Sequence, residues 1–333
     1  MKHLIALFLL VLPTPRASAA DLFQPPTVST FSIVAIDPAN GDLGVAVASR
    51  YFSAGSIVPW ATAGVGAVAT QANVNAGYGP QGIDLLRQGL TAQQVLAKLL
   101  ADDTFPGKDG RQVAIVDAHG NIATYTGPKA PDWAGDRQGK TWSVQGNILV
   151  GPQVLENMGK AFEATQGELA ERLYAALKAG DDAGGDSRGR QSAAMLVVRK
   201  QGGRNINNDR YLFLNVDDNP QPFQELRRLL DLNLSYLHET AANRLLEKEN
   251  LKESLAEARK AAQYAPARSS PHLTLGILEY LNGNKEAALK ELREARKGNP
   301  DFQKNLESLL RDRAELVRLR EDRDFLQALS GGQ

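Results

Sequence analysis

Between residues 30 and 50 the apolar and small residues form two runs, Phe31–Ile36 and Leu43–Ser49, that predict strands. Asp37-Pro38-Ala39-Asn40-Gly41-Asp42 separates them. Proline fixes one dihedral of a turn and Asn-Gly supplies positive φ, so the pair reads as a hairpin. A third strand is expected over Gly64–Thr70, then a polar, glycine-rich loop from Gln71 to Gly82. A short helix should run from Gly82 to Gln88. A second follows a Thr91 cap and turns Val95, Leu96, Leu99 and Leu100 to one face. Gln112–Asp117 and Ile122–Thr126 read as a second hairpin around His119-Gly120-Asn121. Trp142–Val150 reads as a strand, and Val154–Ala164 and Leu169–Ala179 as helices. After a long loop from Gly180 to Gln191, Ser192–Arg199 and Tyr211–Val216 complete the set. Strands come in antiparallel-looking groups and helices in pairs. That argues against a doubly wound parallel sheet and fits antiparallel sheets with helix pairs outside them.

Asn219-Pro220-Gln221-Pro222 marks a change of composition to Ala, Leu, Glu, Lys and Arg. The later segment repeats at a spacing of 34: Asn250 with Asn284, Leu255 with Leu289, Ala261 with Ala295, Pro266 with Pro300. A proline closing each 34-residue unit is the tetratricopeptide pattern. The second unit, with Leu275-Gly276, Ala288, Leu292 and Ala295, fits better than the first, with Ala241-Ala242, Leu245 and Ala258. Residues 303–329 should cap the stack. A plain helical hairpin with accidental spacing is the competing reading. The expected organisation is therefore an extended lead-in over 21–29, a mixed domain over 30–220 and a tetratricopeptide-like helical domain over 225–333, with few contacts crossing 219–222.

The extreme N-terminus reads as a secretory signal over residues 1–20. Lys2 and His3 are followed by an apolar run from Leu4 to Leu12 and the small residues Ala17-Ser18-Ala19-Ala20. The run is too short to span a bilayer. The expected location is exported, periplasmic or extracellular. The whole chain of 333 residues carries 38 basic and 38 acidic side chains; losing Lys2 and Arg16 leaves 36 against 38. No net field favours nucleic acid or an anionic membrane.

There is no cysteine, which excludes thiol nucleophiles and disulfides. Of the four histidines, only His119 falls in the mixed domain outside the signal. A histidine-based serine triad or a multi-histidine metal site is not expected, and no cofactor is implied. Nucleophile candidates are then Ser, Thr, Lys and carboxylates. Small and polar residues concentrate at Ser29–Ala35 with Ala48-Ser49-Arg50, at Ala69–Gly79, and at Gly184–Ser192.

The Thr30-Phe31-Ser32-Ile33-Val34-Ala35 opening, Gly44–Arg50, Pro59-Trp60-Ala61, Gly64–Gln71, Gly146-Asn147 and Gly185–Ala194 resemble the DUF1028 family, over roughly residues 29–218. That family is of unassigned function and is placed in the N-terminal-nucleophile (Ntn) hydrolase superfamily. The resemblance implies an α+β, four-layer αββα sandwich, here followed by an all-α tail. It also implies a Thr, Ser or Cys at the start of the first strand whose own α-amine is the general base. Thr30 holds that place. Its amine is free only if the chain is cut after Ser29; otherwise Thr30 is an ordinary strand-edge residue in a silent fold. Arg50 is expected to hold a carboxylate or a developing charge. Gln71 and Asn73, with loop amides, would form an oxyanion hole. Asn147, Asp186, Ser187, Arg188 and Arg190 are the candidates for substrate binding, with Asp186 and Arg188 alternatively pairing only with each other. Arg50 and Arg188 hint at a carboxylate-bearing substrate.

Two functions follow. One is an exported amidohydrolase acting on a small peptide-like or acylated amide. The other is a non-catalytic scaffold that binds a protein partner through residues 225–333. Homo-oligomer formation stays open in both.

Overall fold

The computed structural model describes residues 27, 28 and 30–331. The signal over 1–20 and nearly all of the lead-in lie outside the described residues. Eleven strands and eleven α-helices appear among those described.

One sheet has six antiparallel strands. In chain order they are β2 (Thr30–Asp37), β3 (Asp42–Ser49), β8 (Gly135–Gln138), β9 (Trp142–Asn147), β10 (Ser192–Val198) and β11 (Arg210–Val216). Their spatial order is β11-β10-β3-β2-β9-β8. The second sheet contains β1 (Thr27–Val28), β4 (Pro59–Thr62), β5 (Gly66–Asn73), β6 (Arg111–Asp117) and β7 (Ile122–Thr126). Here β6 lies between β5 and β7, while β1 and β4 share the other edge of β5.

The hairpin between β2 and β3 forms as its sequence dictates. Asp37 Oδ1 accepts from Ala39 N at 3.0 Å, Asn40 Oδ1 accepts from Asp42 N at 2.9 Å, and Gly41 sits at φ 77°. Asp42 is fully buried and is held by Arg199 Nε and Nη2 at 2.7 and 2.6 Å, which locks the turn to the end of β10.

Strand alternation separates the layers. Val34, Ile36, Val45, Val47, Ala194 and Leu196 meet Ala67, Ala69, Ala114 and Val116 between the two sheets. Phe31, Ile33, Ala35, Ala46, Ala48 and Met195 point the other way. They pack on α3 (Gln153–Ala164) and α4 (Leu169–Asp182) through Leu155, Met158, Phe162, Leu173 and Leu177. The outer face of the second sheet is covered by α1 (Tyr78–Arg87) and α2 (Ala92–Asp102) through Tyr78, Ile83, Val95 and Leu99. Thr91 caps α2, accepting from Gln94 N while Gln94 Oε1 accepts from Thr91 N.

Four local expectations change. The third strand does not stop at Thr70: β5 continues through Gln71 to Asn73, pairing Gln71 with Gln112 and Ala72 with Arg111. The glycine-rich stretch behind it starts α1 four residues early, at Tyr78. β9 stops at Asn147, because Ile148 turns to φ 52°. Finally, a short 3-10 turn (Ala54–Ser56), β4 and β8 lie in segments without apolar alternation.

The tail consists of α5 (Pro222–Leu246), α6 (Leu251–Tyr264), α7 (Ser269–Leu281), α8 (Lys285–Arg296), α9 (Phe302–Asp312), α10 (Val317–Glu321) and α11 (Arg323–Ser330). The expected single cap is thus broken into three helices. The 34-residue spacing reappears in hydrogen bonds. Ser235 Oγ donates to Ala261 O and Ser269 Oγ to Ala295 O, and His238 and His272 approach Glu257 and Glu291, each at 2.6 Å.

The change of composition at 219–222 does not divide the core. Phe223, Leu226, Leu230, Leu234 and Leu237 of α5 belong to the same buried cluster as Phe31 and Leu177. The mixed domain and the first tail helix share one interior.

Candidate functional site

Thr30, Ser49 and Ser192 stand side by side at one end of the six-stranded sheet. Ser49 pairs with Thr30 on one side and Ser192 on the other, and Asn147 pairs with Thr30 from β9. All four are buried, Thr30 and Asn147 completely. Thr30 alternates with Ser32 and Val34, so its side chain is on the face toward the second sheet. Thr30 Oγ1 donates to Ser49 Oγ at 3.2 Å, and Ser192 Oγ accepts from Ala54 N at 3.1 Å.

Behind this row the interior is filled by amide side chains. Ser32 Oγ donates to Gln71 Oε1 at 2.6 Å and accepts from Gln145 Nε2 at 2.5 Å. Gln71 Nε2 donates to Gln112 Oε1 at 2.8 Å and approaches Thr30 O at 3.4 Å. Gln112 Nε2 reaches Gly146 O at 2.8 Å, and its Oε1 also accepts from Asn147 Nδ2 at 3.1 Å. Buried amides are costly unless paired, and these pair with one another across both sheets. The exception is Asn147 Oδ1, which has no hydrogen-bond partner among the described residues.

This geometry corrects two expected roles. Gln71 is a strand residue whose amide is already occupied, so it holds the Thr30 carbonyl and is not a loop donor. Asn73 lies at the strand end with its amide against Gly107 and Gly110, and its carbonyl accepts from Arg111 Nη1 at 2.7 Å. The physical reason is the same for both. The ladder with β6 continues past Thr70, since Gln71 finds amide partners inside and therefore need not face water.

The remaining expected residues form a second group. The loop after α4 is docked by Ser187 N donating to Ile148 O at 2.9 Å and Val150 N to Gly185 O at 3.2 Å. Asp186 organises it. Its side chain is almost wholly buried and accepts from the backbone N–H groups of Arg50 and Arg188, both at 2.9 Å. Arg188 closes on it with Nε at 3.2 Å and Nη2 at 3.0 Å, and Nη2 also donates to Arg50 O at 3.1 Å. Arg188 is therefore spent on Asp186, but the two do not pair only with each other, since both also bond the Arg50 backbone. Arg190 pairs with Asp181, and that hydrogen bond, against the opposing effect of burial, raises the guanidinium further above its ordinary value. Ser187 is exposed and enters through its backbone.

A cavity of about 410 Å³ adjoins this loop. Phe31, Arg50, Asp181, Arg190 and Phe223 line it together with Ser49 and Ser192. Thr30, Gln71, Asn73 and Asn147 are not among its walls. The structure thus brings the expected residues together as two groups, joined at Ser49, with Asn73 apart. Sequence reasoning missed Ser32, Gln112, Gln145, Asp181 and Phe223. For Ser32, Gln112 and Gln145 the signal was weak, polar residues inside otherwise apolar strands, and Asp181 and Phe223 lie on helices where the sequence carries no such sign. No group of three or more acidic, His or Cys side chains suited to a metal occurs among the described residues, and none of their helices is long and apolar enough to cross a membrane.

A family model described as a family of unknown function, DUF1028, matches residues 30–226. A crystal structure of a DUF1028 protein from Silicibacter pomeroyi is 31% identical and matches with a TM-score of 0.55, covering 60% of this chain and 87% of that one. No curated protein matches the chain.

Proposed function

We propose, from the premise that this chain belongs to the DUF1028 family, that it is an amide-cleaving enzyme of the Ntn-hydrolase type with Thr30 as nucleophile. In this reading the face-to-face sheets with helices outside are that superfamily's αββα sandwich. The repeating helix pairs are a tetratricopeptide-like array, and the first 20 residues are an export signal. The observation that carries the reading is the placing of Thr30. It opens β2, between β3 and β9, with a buried hydroxyl in a row with Asn147, Ser49 and Ser192.

Cleavage of the Ser29–Thr30 peptide bond would leave an α-amine on Thr30. That amine takes the hydroxyl proton as Oγ1 attacks the amide carbon of the substrate. The intermediate collapses, the proton passes to the departing amine, and water hydrolyses the resulting ester. Asn147 Oδ1, buried and without a partner among the described residues, at the register position opposite Thr30, suits an N–H of the α-amine freed on Thr30. Gln71 is a positioning residue through the Thr30 carbonyl. The substrate is a small peptide-like or acylated amide.

One observation favours the scaffold reading. Immediately before Thr30, Thr27 and Val28 pair with Asn73 and Ala72 of the second sheet, so the uncut chain has a strand at this place. N-terminal sequencing and intact mass of exported protein, with a panel of amide substrates, separate the two. The enzyme reading expects chains that begin at Thr30 and turnover reduced at least about 10³-fold by Thr30→Ala, with Thr30→Ser partly active. Chains beginning only near Ala20, inert toward every amide, select the non-catalytic binding protein.

A further inference from the structure

We propose that the cavity beside β2, α4 and α5 binds a small carboxylate carried on an aromatic or aliphatic body. The carboxylate would lie on Arg50 and the apolar body against Phe31 and Phe223. This goes beyond the Thr30 reading and requires no chain cleavage. The two places adjoin at the sheet end: Phe31 and Ala48 point to the helix layer and Thr30 and Ser32 to the second sheet, while Ser49 and Ser192 of the Thr30 row also line the cavity.

Charge identifies one end of the ligand. Six charged side chains come to this cavity or its supporting loop beside Arg50, among them Lys178, which pairs with Asp182 and lies 3.9 Å from Asp181. Asp181 is paired with Arg190, and Asp186 is paired with Arg188 and two backbone N–H groups. Those charges cancel. Arg50 has no carboxylate partner among the described residues, and one contact, Nη1 to Arg190 O at 3.1 Å, is all that its guanidinium makes there. A guanidinium has five N–H donors in a planar fork that fits a carboxylate. One uncompensated positive charge therefore remains at the cavity, and the two aspartates are already neutralised.

Shape identifies the other end. Phe31 and Phe223 stack with centroids 6.4 Å apart and planes inclined by 11°. Pro220 and Pro222 extend that apolar wall. A volume of about 410 Å³ falls in the range of small-molecule sites. An aromatic edge beside one arginine without a carboxylate partner, in a cavity also lined by Ser49, Ser192 and the paired Asp181, favours a small monoanion with an apolar body over a polyphosphate or a cation. Since Phe223 belongs to α5, the ligand would also touch the first tail helix and stabilise the folded chain by mass action.

The test uses the full chain, with phenylacetate as probe and phenylacetamide as its uncharged counterpart, followed by NMR chemical-shift titration. Phenylacetate should bind at least about tenfold more tightly, the effect of a charge-assisted hydrogen-bond pair. Arg50→Gln, at an exposed side chain that leaves the fold intact, should remove this preference. Phe223→Leu should weaken both probes while keeping it. Equal affinities for the two probes, no saturable binding of either at millimolar concentration, or a preference that survives Arg50→Gln would overturn the proposal.

Discussion

The two faces of strand β2 are completed by different partners. On one face, Thr30 and Ser32 meet the second sheet through paired amides, and the space is filled with hydrogen bonds. On the other, Phe31 meets Phe223 of α5 and leaves a cavity. Polar groups sealed between two sheets must be satisfied, so that face is closed and specific in geometry. Apolar rings against a helix impose no such demand and tolerate a void. The proposed chemistry at Thr30 would require cleavage after Ser29, whereas the cavity is formed in the uncut chain.

The sharpest way to break this contrast is to remove the tail. A chain ending at Asn219 loses Phe223, Leu226, Leu230, Leu234 and Leu237 from the core. At about 1.5–3 kcal/mol for each buried side chain, this roughly equals the whole stability of an ordinary domain. Dye binding to exposed apolar surface and loss of a cooperative melt are expected. A truncated chain with a two-state melt would show that the helix face does not depend on α5.

Next in size is Gln112→Ala, which orphans Asn147 Nδ2 and takes a partner from Gly146 O and from Gln71 Nε2, the last keeping only its longer approaches to Thr30 O and Gln145 O. At about 1–3 kcal/mol for a buried group that loses its hydrogen bond, a loss of about 4 kcal/mol is expected in urea unfolding. Phe223→Ala should cost about 3 kcal/mol, the low end for a buried phenylalanine, because one side already faces a cavity. If Phe223→Ala cost more than Gln112→Ala, the helix face would be the less tolerant one.

How much of this was readable follows from the same chemistry. The hairpin at Asp37–Asp42 and the Thr91 cap are local, and each is encoded by residues whose side chains bond their own backbone. The order of strands and helices was legible because apolar periodicity records burial on one face. The amide interior was not, since a polar strand end such as Gln71-Ala72-Asn73 looks like a loop until the partner sheet is present. Arg188 and Asp186 could be suspected of pairing, but the burial of Asp186 under Arg50 N and Arg188 N depends on residues 136 positions apart in the chain. In the tail, prolines and leucines disclosed the period. The 34-residue offset between His238 and His272, matched by Glu257 and Glu291, was present in the sequence and was missed.

A smaller effect is expected from pH, at another contact between α5 and the mixed domain. Burial alone would lower the His238 pKa, but hydrogen bonds and charge from Glu168 and Glu257 outweigh it and raise it. His238 Nε2 is 3.2 Å from Glu168 Oε1, the ring stacks on Tyr264, and Tyr211 OH donates to Glu168 Oε2 at 2.7 Å. Burial pushes Glu257 up, yet bonds from His238 and Lys260 bring it down to about 2, and Glu168 is lowered in the same way. A raised histidine gives stability that is complete below its unfolded value, about 6.5, and is lost as pH rises through the folded value. The lowered carboxylates give stability that is complete above about 4.3 and is lost on acidification. Thermal melts should therefore peak between these limits. His238→Gln should flatten the alkaline limb; an unchanged limb would place the titration elsewhere.

The smallest effect should be Arg50→Gln. Its side chain is exposed, so global stability should change by less than about 0.5 kcal/mol. A larger loss in a denaturant melt would make Arg50 part of the loop's support and not a ligand contact.

The twin latches of the tail have a modular consequence. Each helix pair fastens to itself with the same serine and histidine contacts, so the unit carries its own closing instructions in its 34 residues. Duplicating or deleting one whole unit preserves those instructions, whereas a change of a few residues breaks them. Repeating or removing the α7–α8 unit should therefore change tail length by one step while α5 keeps its seat on the sheet.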